Sequence, residues 1–407
     1  MRTYMYSYPH KSTYGDINVN LFDYLHPMDS LDIYVHLPFC KWRCGYCNLF
    51  LVTRQDELID SYLDAIERQI LQFNLSPNKI NSITIGGGTP LVLSANQLER
   101  LLKMLPGVSY APICIEASPL DTTSEKLAVL KAFKVQRVSL GVQSFLDEEL
   151  KTLKRAHPTE SVHKALDLLC DFPVINIDLI YGIPDQTEKS LLYSLEQAVY
   201  HAPKEIFIYP LYTRKGTALE DMQESEEGQK QRMWYTCFDF LTNKGYTAHS
   251  MRFFSRQSPN TASCGFEKTI ALGCGGRSYL EKLHFCYPYS VNEVESLTTI
   301  MQFIDTKDYS LITHGILLND DELKRRYIIK NLLRTTGIDI EEYRQVFGTD
   351  LFSEFPKFDK LLSDEMISLK HCHSQRKVIS LTPAGLAAAD EIGPLFISPK
   401  LAPLMCL

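Results

Sequence analysis

The chain has 407 residues, a formal net charge of −7 and a pI near 5.9, and this acidic balance gives no reason to expect nucleic acid or an anionic membrane as a partner. Hydrophobic residues make up 45% and charged residues 22%, as in ordinary globular proteins. No apolar run approaches the ~20 residues of a membrane helix, and residues 1–17 lack the apolar core of a signal peptide. We therefore expect a cytoplasmic protein of two or three domains, or one large α/β domain with an appendage.

Short apolar runs alternate with stretches of helical spacing from residue 31 to about residue 213. The predicted strands are LDIYVHL (31–37), INSITIGG (80–87), ICIEA (113–117), VQRVSLGV (135–142), VINIDLIYG (174–182) and EIFIYPLY (205–212). Each is followed by a helical pattern, such as DELIDSYLDAIERQILQF (56–73) or SANQLERLLKML (94–105), where Ser94 is a candidate N-cap. Strands and helices in this order form βαβ units and a parallel sheet. Six units fit an open, partial barrel or a doubly wound sheet.

The pattern loosens after residue 213. A helix is predicted over 231–246, ending at Gly245, and residues 252–280 mix turn residues with short apolar runs. From about residue 310 the chain is predicted to be helical and charged, and it closes with a strand and a helix in KVISLTPAGLAAADEIG (377–393). This order predicts a small winged-helix-like domain. We divide the chain into an N-terminal extension (1–30), a core with an accessory segment (31–300) and a C-terminal domain (301–407).

Three of the eleven cysteines stand together in YVHLPFCKWRCGYCNLF (34–50), where Cys40, Cys44 and Cys47 have the spacing CxxxCxxC. A reducing compartment makes a disulfide framework a poor explanation for eleven cysteines. The remaining eight are scattered singly, as expected of small buried side chains: Cys114, Cys170, Cys237, Cys264, Cys274, Cys286, Cys372 and Cys406.

The three clustered cysteines can be explained by zinc or by an iron–sulfur cluster. Structural zinc takes four ligands, and only His36 or the distant HCH run (371–373) offers a fourth. His36 lies within a strand pattern, where a hydrogen-bonded structural role is more common. Thiolates also hold [4Fe–4S] clusters, and three of them leave one iron open for chemistry. The loop follows the first strand, so it lies at the carboxyl edge of the sheet, where such folds bind ligands.

A CxxxCxxC loop directly after the first strand of a repeated βα domain resembles the radical S-adenosylmethionine (radical SAM) superfamily. The flanking residues YVHLPFCKWRCGYC resemble its coproporphyrinogen III oxidase-like branch, and NLF (48–50) with YSYPHKS (6–12) resembles an uncharacterised subfamily of that branch. The similarity covers residues 31–280 well and the C-terminal region moderately, through LTPAGLAAADEIG (381–393). It implies a partial (β/α)6 barrel with additional C-terminal strands and helices.

Later strand ends carry groups whose plain interpretation is structural. GGGTP (86–90) can be an ordinary tight loop, and it lacks the GK[ST] of a phosphate loop. Glu116 in EASP can be a helix cap or an ion-pair partner, and Arg155 can be a solvated helix residue. Asp178 is harder to dismiss, because a carboxylate within an apolar strand is costly unless it is paired or functional.

The resemblance turns these positions into a cofactor site. It implies that Cys40, Cys44 and Cys47 ligate a [4Fe–4S] cluster and that one or two molecules of S-adenosylmethionine bind beside it. The implied contacts are Gly87, Gly88 and Thr89 with the methionine amino group, Glu116 and Gln143 with ribose, Arg155 with the carboxylate, and Asp178, Tyr34, Tyr46 and, as a weaker match, Tyr212 elsewhere on the cofactor. Arginine suits the carboxylate because its fork pairs bidentately.

The resemblance further implies reductive cleavage of S-adenosylmethionine to a 5′-deoxyadenosyl radical, with a tetrapyrrole-like substrate and oxidative decarboxylation as the reaction. Two alternatives stay open, a radical methyltransferase that uses two cofactor molecules and a haem-binding chaperone. YMYSYPHKS (4–12) resembles the segment that precedes the barrel in the decarboxylating oxidase and favours the enzyme. We expect a flavodoxin or ferredoxin as electron donor, a monomer, and neither nucleic acid nor membrane as a partner, since KRR (324–326) is only a short basic run.

Overall fold

A computed structural model describes residues 7–222, 227–257, 268–371 and 376–405. Cys264, Cys372, Cys406, His373 and residues 4–6 of the N-terminal motif lie outside these ranges. The strands are β1 (Gly15–Asn20), β2 (Leu31–Leu37), β3 (Phe39–Cys40), β4 (Val52–Thr53), β5 (Ile80–Gly87), β6 (Ile113–Ala117), β7 (Arg137–Gln143), β8 (Val174–Tyr181), β9 (Glu205–Pro210), β10 (Thr247–Ala248), β11 (Phe253–Ser255), β12 (Thr269–Leu272), β13 (Arg277–Leu280), β14 (Leu283–Cys286), β15 (Leu311–Leu317), β16 (Ile338–Asp339), β17 (Ile367–His371) and β18 (Lys377–Leu381).

Helices follow the predicted strands as the sequence pattern requires. They are α1 (Phe22–Leu25), α2 (Ile59–Phe73), α3 (Ala95–Met104), α4 (Ser124–Ala132), α5 (Asp147–Thr152), α6 (Thr159–Leu169), α7 (Glu188–Tyr200), α8 (Glu227–Asn243), α9 (Glu293–Asp305), α10 (Asp320–Leu332), α11 (Ile340–Phe347), α12 (Leu351–Glu354), α13 (Lys357–Ser363), α14 (Pro383–Ala387) and α15 (Ala389–Ile392). The predicted N-cap of α3 is confirmed, because the Ser94 side chain accepts from the Gln97 amide in a capping box.

A parallel sheet with helices outside forms the centre of the protein, and the predicted α/β fold class is confirmed. Its six strands lie in the order β2, β5, β6, β7, β8, β9. The loop after β2 reaches the segment Leu153–Arg155, which follows β7, three strands away in the sheet. Such a contact requires the sheet to curve, as expected of a partial barrel.

Antiparallel strands extend both edges of this sheet. β11 and β10 follow β9, and β12, β13, β14, β15 and β1 follow β2, which gives thirteen strands among the described residues. The mixed segment 252–280 thus contains strands β11 to β13. The expectation that the chain is helical from about residue 310 is wrong at β15, because pairing with β1 and β14 decides the conformation of that exposed run.

The two faces of the parallel strands differ in polarity. Ile33, Val35 and Leu37 of β2 are buried in the main hydrophobic core, while Tyr34 and His36 alternate with them and face the other way. Polar side chains pair on the inner face, where the Ser82 hydroxyl donates to Asp32 at 2.6 Å. The parallel strands therefore have an apolar outer face and a hydrogen-bonded interior.

The C-terminal region contains α10 to α15 and a three-stranded antiparallel sheet in the order β16, β18, β17. The boundary proposed between residues 300 and 301 falls inside α9 (Glu293–Asp305). β1, which lies within the proposed N-terminal extension, belongs to the large sheet, and the division of the chain into three parts stays a prediction. A winged-helix-like C-terminal domain stays a prediction.

The short basic run 324–326 is bound within the protein. Lys324 pairs with Glu354, Arg325 with Asp321 at 2.9 Å, and Arg326 donates to the carbonyl of Tyr8 at 2.7 Å. In the part of the chain that the structure describes, no helix has the length and apolar character needed to span a membrane.

Candidate functional site

The cysteine loop begins at the carboxyl edge of the parallel sheet. The short strand β3 begins two residues after the end of β2 and pairs with β4. Cys40 is the last residue of β3, and its side chain is buried. Cys44 and Cys47 follow on a turn and are half-buried. The Cys47 amide donates to the carbonyl of Cys44 at 3.1 Å, so the last two cysteines share one compact turn. The sequence prediction of this location is therefore met.

Three contacts fasten the loop to the segment that follows β7. The Gly45 amide donates to the carbonyl of Leu153 at 2.9 Å, and the Trp42 indole donates to the carbonyl of Lys154 at 2.9 Å. Arg155 Nη1 donates to Cys44 Sγ at 3.1 Å. A cationic fork thus lies against one of the three sulfurs, where it stabilises negative charge on a thiolate.

The zinc alternative requires a fourth ligand beside the three cysteines. Among the residues that the structure describes, no three His, Cys, Asp or Glu side chains are placed to hold one metal ion. His36, the candidate fourth zinc ligand, has its Nε2 2.9 Å from the carbonyl oxygen of Phe50, and burial lowers its pKa to about 4. The structure therefore gives no support to the zinc alternative.

Burial lowers the acidity of two of the three cysteines, Cys40 and Cys47. It raises the pKa of Cys40 to about 12, although Cys40 Sγ lies 3.2 Å from the Thr89 hydroxyl, an interaction that favours the thiolate. Burial also raises the pKa of Cys47. Because thiolates are the form that ligates metal, a metal bound by these cysteines would displace their protons.

The glycine turn at the end of β5 has no room for a Cβ at Gly87 or Gly88. Gly87 has φ +110°, and a Cβ there would lie 2.9 Å from both the His36 ring and the carbonyl oxygen of Leu37. Gly88 donates its amide to the carbonyl of Leu37 at 2.7 Å, and Thr89 donates to the carbonyl of Phe39 at 2.8 Å. The predicted turn is therefore tied to the residues immediately before Cys40.

Glu116 stands at the end of β6, in contact with the same turn. The Gly87 amide donates to its Oε2 at 3.2 Å, and Gly86 offers no room for a side chain, since a Cβ would lie 2.8 Å from the carboxylate. Solvent reaches the carboxylate, yet desolvation by the surrounding protein and the charge of Asp178 raise its pKa to about 7. The group therefore changes charge near neutral pH.

Gln143, Arg155 and Asp178 meet at the ends of β7 and β8. Gln143 has φ +73° beside an irregularity in the pairing of these strands, and Arg155 donates to the carbonyl of Gly141. Asp178 accepts from Asn176 at 2.8 Å and from Ser139 at 3.1 Å. Its pKa is raised because desolvation outweighs these hydrogen bonds.

The three predicted tyrosines have different surroundings. Tyr34 lies on β2 with its hydroxyl 3.4 Å from His36 Nδ1, and Tyr46 packs in the cysteine loop near Arg155. Tyr212 donates instead to Asp390, which also forms an ion pair with Arg252 at 2.6 Å. Tyr212 therefore connects the barrel to the C-terminal region, and its predicted contact with the cofactor stays a prediction.

The fold brings basic residues together that the sequence does not reveal as a group, and one of them, Lys11, lies over the ring of Tyr289, whose hydroxyl contacts the cysteine loop. His10 and Lys11 come from the N-terminal segment, Arg214 from the loop after β9, and Arg277 from β13. The pKa of His10 is lowered to about 3, mainly by burial and further by the positive charges of Lys11, Arg277 and Arg214. They are too far apart in sequence for any spacing to reveal them as a group.

Comparisons with known proteins agree with this geometry. Residues 34–198 match the family described as the Radical SAM superfamily. A curated relative, "Heme chaperone HemW" of Bacillus subtilis, is 24% identical over 383 residues, which are 89% of this chain and 98% of that protein. The "Oxygen-independent coproporphyrinogen III oxidase" of Escherichia coli is 29% identical over 360 residues, 81% of this chain and 78% of that protein.

A solved structure shares the fold. Coproporphyrinogen III oxidase (HemN) from Escherichia coli, described as a radical SAM enzyme, superposes with a TM-score of 0.80 at 24% sequence identity, covering 97% of this chain and 96% of that one. The predicted recognition is thereby confirmed. Residues 34–198 thus match the Radical SAM superfamily, and the chain is similar to HemW and to oxygen-independent coproporphyrinogen III oxidases and has the fold of HemN.

Proposed function

We propose that this chain is a radical SAM enzyme that holds a [4Fe–4S] cluster on Cys40, Cys44 and Cys47. The observation that carries the proposal is the convergence of these free cysteines and Arg155 beside a glycine turn, at the carboxyl edge of a parallel sheet. When bound, the reduced cluster and S-adenosylmethionine supply a 5′-deoxyadenosyl radical. The protein's contribution is to position the reactants and exclude water.

Several residues of the site suit the polar ends of S-adenosylmethionine. The turn Gly87–Thr89 brings backbone close to the cysteine loop, as the methionine end of the cofactor requires. Arg155 offers a charge-assisted fork to a carboxylate. Desolvation alone would lower the pKa of Arg155, but the negative charges of Tyr46 and Cys44 raise it by more, so the side chain stays cationic. Glu116 and Gln143 can accept from ribose hydroxyls. The position and the chemistry of these residues support the cofactor contacts that we propose for them.

The substrate class that we favour is a tetrapyrrole, with oxidative decarboxylation as the reaction. Support comes from the oxidase relatives and from the shared fold over nearly the whole chain. In the described part of the N-terminal segment, Tyr8 donates to Glu322 and its carbonyl accepts from Arg326, so that the segment packs against α10. We also propose that a flavodoxin or ferredoxin supplies the electron and that the enzyme works in the cytoplasm.

A haem chaperone is the second candidate. It is favoured by relatives named "Heme chaperone HemW", of which this chain covers 98% in Bacillus subtilis and 96% in Lactococcus lactis. The same cysteines and fold can serve either function, since fold alone does not decide activity. Tight binding of haem and its transfer to an apo-haem protein would favour this candidate.

Anaerobic turnover separates the two candidates. The reconstituted, reduced protein is given S-adenosylmethionine with and without coproporphyrinogen III, and 5′-deoxyadenosine is measured by mass spectrometry. The oxidase proposal predicts faster formation with the porphyrinogen, together with loss of carboxyl groups from it. Cys44→Ser should abolish the reaction, whereas Cys170→Ser, at an exposed cysteine away from the loop, should not. If protein with an intact cluster does not cleave S-adenosylmethionine, the proposal that this chain is an enzyme is refuted.

A further inference from the structure

The guanidinium of Arg155 is held by three acceptors from different parts of the chain. Its Nη1 donates to Cys44 Sγ at 3.1 Å, and its Nη2 donates to the carbonyl of Gly141 on β7. Its Nε donates to His157 Nε2 at 3.1 Å. His157 belongs to neither the cysteine loop nor the parallel sheet, so Arg155 has a third anchor outside both.

The sequence RAHP (155–158) places this imidazole beside the arginine. The segment connects α5 to α6, and the Arg155 amide donates to a carbonyl of α5 at 2.9 Å. At the other end, the amide of Thr159 donates to the Asp147 carboxylate at 2.8 Å. The proline after His157 disfavours helical backbone in the residue that precedes it. The imidazole is therefore presented by a segment that is fixed at both ends.

His157 is a neutral hydrogen-bond acceptor in this arrangement. An arginine can only donate, so His157 Nε2 accepts and the proton of the neutral ring is assigned to Nδ1. His157 is only 5% exposed, and burial together with the charge of Arg155 lowers its pKa to about 4. The ring therefore accepts from Arg155 at neutral pH without carrying a charge of its own.

This contact decides which edge of the guanidinium is open to a ligand. A carboxylate can pair bidentately with the side edge, formed by Nε and Nη2, or with the end, formed by Nη1 and Nη2. His157 occupies Nε and thereby closes the side edge. Each Nη carries two N–H groups, so each keeps one beyond its contact with Cys44 or Gly141. The end, beside the cysteine loop, is thus the edge left for a bidentate ligand.

The acceptor also leaves the charge of Arg155 uncancelled by a carboxylate. Another desolvated arginine, Arg137, pairs with the Glu205 carboxylate at 2.6 Å. Within the described residues, Arg155 forms no ion pair with a carboxylate, and its acceptors are an imidazole, a sulfur and a carbonyl oxygen. A carboxylate in place of His157 would compete with an anionic ligand for the guanidinium. A neutral imidazole orients the fork and does not compete.

We propose that His157 is a positioning residue, which holds Arg155 at Nε so that the end of its guanidinium receives the carboxylate of S-adenosylmethionine. This inference rests on the proposed function and adds a residue that acts through Arg155 rather than on the reacting atoms. Without an acceptor at Nε, the guanidinium is free to turn and offer its side edge instead. The carboxylate would then no longer be directed to the edge that contacts Cys44.

Equilibrium binding to the anaerobically reconstituted protein tests this role with two ligands, S-adenosylmethionine and its decarboxylated analogue. His157→Asn has no acceptor at the Nε2 position, so it should weaken binding of S-adenosylmethionine about tenfold, as expected for a lost hydrogen bond to a charged group. Binding of the analogue, which has no carboxylate, should not change. His157→Gln can place its amide oxygen where Nε2 lies and should retain the affinity of the wild type for both ligands.

Matched variants show whether the effect passes through the arginine. His26→Asn, at an exposed histidine that stacks on Phe22, is the control and should bind both ligands like the wild type. Lysine lacks the Nε–H of arginine, so His157→Asn should cause no further loss in an Arg155→Lys protein. Iron content and thermal midpoints show whether each variant keeps its cluster and its fold. His157→Phe, which keeps a ring but no acceptor, provides the same comparison if His157→Asn does not fold.

The outcomes separate this inference from the proposed function. Wild-type protein that does not bind S-adenosylmethionine would overturn both. If the wild type binds it and folded His157→Asn and His157→Phe bind it equally well, only the inference is overturned. Equal weakening for the two ligands would overturn it in favour of a purely structural role for His157. Losses that simply add in the Arg155→Lys background, or a His157→Gln protein as weak as His157→Asn, would also overturn it.

Discussion

Replacing Gly88 with alanine should displace a proposed cluster ligand that the new methyl group does not touch. A Cβ at Gly88 would lie 2.5 Å from the carbonyl oxygen of Phe39 and 3.0 Å from its nitrogen and carbonyl carbon. Ordinary Cβ contacts begin at 3.4 Å, so the two backbones must separate by about 0.9 Å. Phe39 directly precedes Cys40 and accepts from the Thr89 amide. The strain therefore falls on the strand that carries Cys40.

A shift of this size exceeds the ~0.5 Å tolerance of functional constellations, and misplacement by ~1 Å can cost about 100-fold in rate. We expect Gly88→Ala to bind less iron and sulfide per chain and to form 5′-deoxyadenosine about 100-fold more slowly. Gly245→Ala is the matched control, because its φ of +83° imposes strain while the added Cβ meets nothing within 4 Å. It should lose ~1–2 kcal/mol of stability but keep its cluster. A Gly88→Ala protein with full iron content and wild-type turnover would refute the reasoning.

Three further predictions concern charged groups: an ion pair at the opposite, amino edge of the parallel sheet, and two residues of the site. Glu205→Gln leaves the largely buried Arg137 without its carboxylate partner and should lower the free energy of unfolding, measured by urea titration, by about 3 kcal/mol. The double variant Arg137→Gln/Glu205→Gln should lose less stability than the sum of the two single variants. Strictly additive losses would contradict this prediction. Arg155→Lys keeps the charge but loses the fork, so 5′-deoxyadenosine formation should fall about tenfold or more at unchanged iron content, and full activity would argue against bidentate binding. The pKa of Glu116, raised to about 7, predicts that affinity for S-adenosylmethionine falls as the pH drops below 7, because the protonated carboxyl is a poorer acceptor; calorimetry should show no such fall in Glu116→Gln.

The parts of the fold that local sequence pattern determines could be predicted. Each strand of the parallel sheet is an apolar run flanked by turn residues. Because such strands are buried on both faces, they can be recognised from their own sequence without knowing which strands pair with them. The cysteine loop and the glycine turn were predicted for a similar reason. Their residue types and spacing are local, and βαβ connectivity brings the strand ends to one edge.

The parts that depend on distant pairing could not be predicted. The run at β15, Leu311–Leu317, is half-exposed and becomes a strand because β1, from the N-terminal region, and β14 pair with it on either side. Lys11, Arg214 and Arg277 belong to three elements whose proximity is set by the tertiary fold. Tyr212 was predicted from its place near a strand end, yet the partner of its hydroxyl, Asp390, comes from the C-terminal region.

Electron paramagnetic resonance of the reduced, reconstituted protein tests the central claim most directly. The account predicts a [4Fe–4S] signal whose g values change on addition of S-adenosylmethionine, because one iron is left open by the three cysteines. The signal should be lost in Cys40→Ser, Cys44→Ser and Cys47→Ser and retained in Cys170→Ser. A cluster that is insensitive to S-adenosylmethionine, or that persists when any of the three cysteines is replaced, would contradict the account.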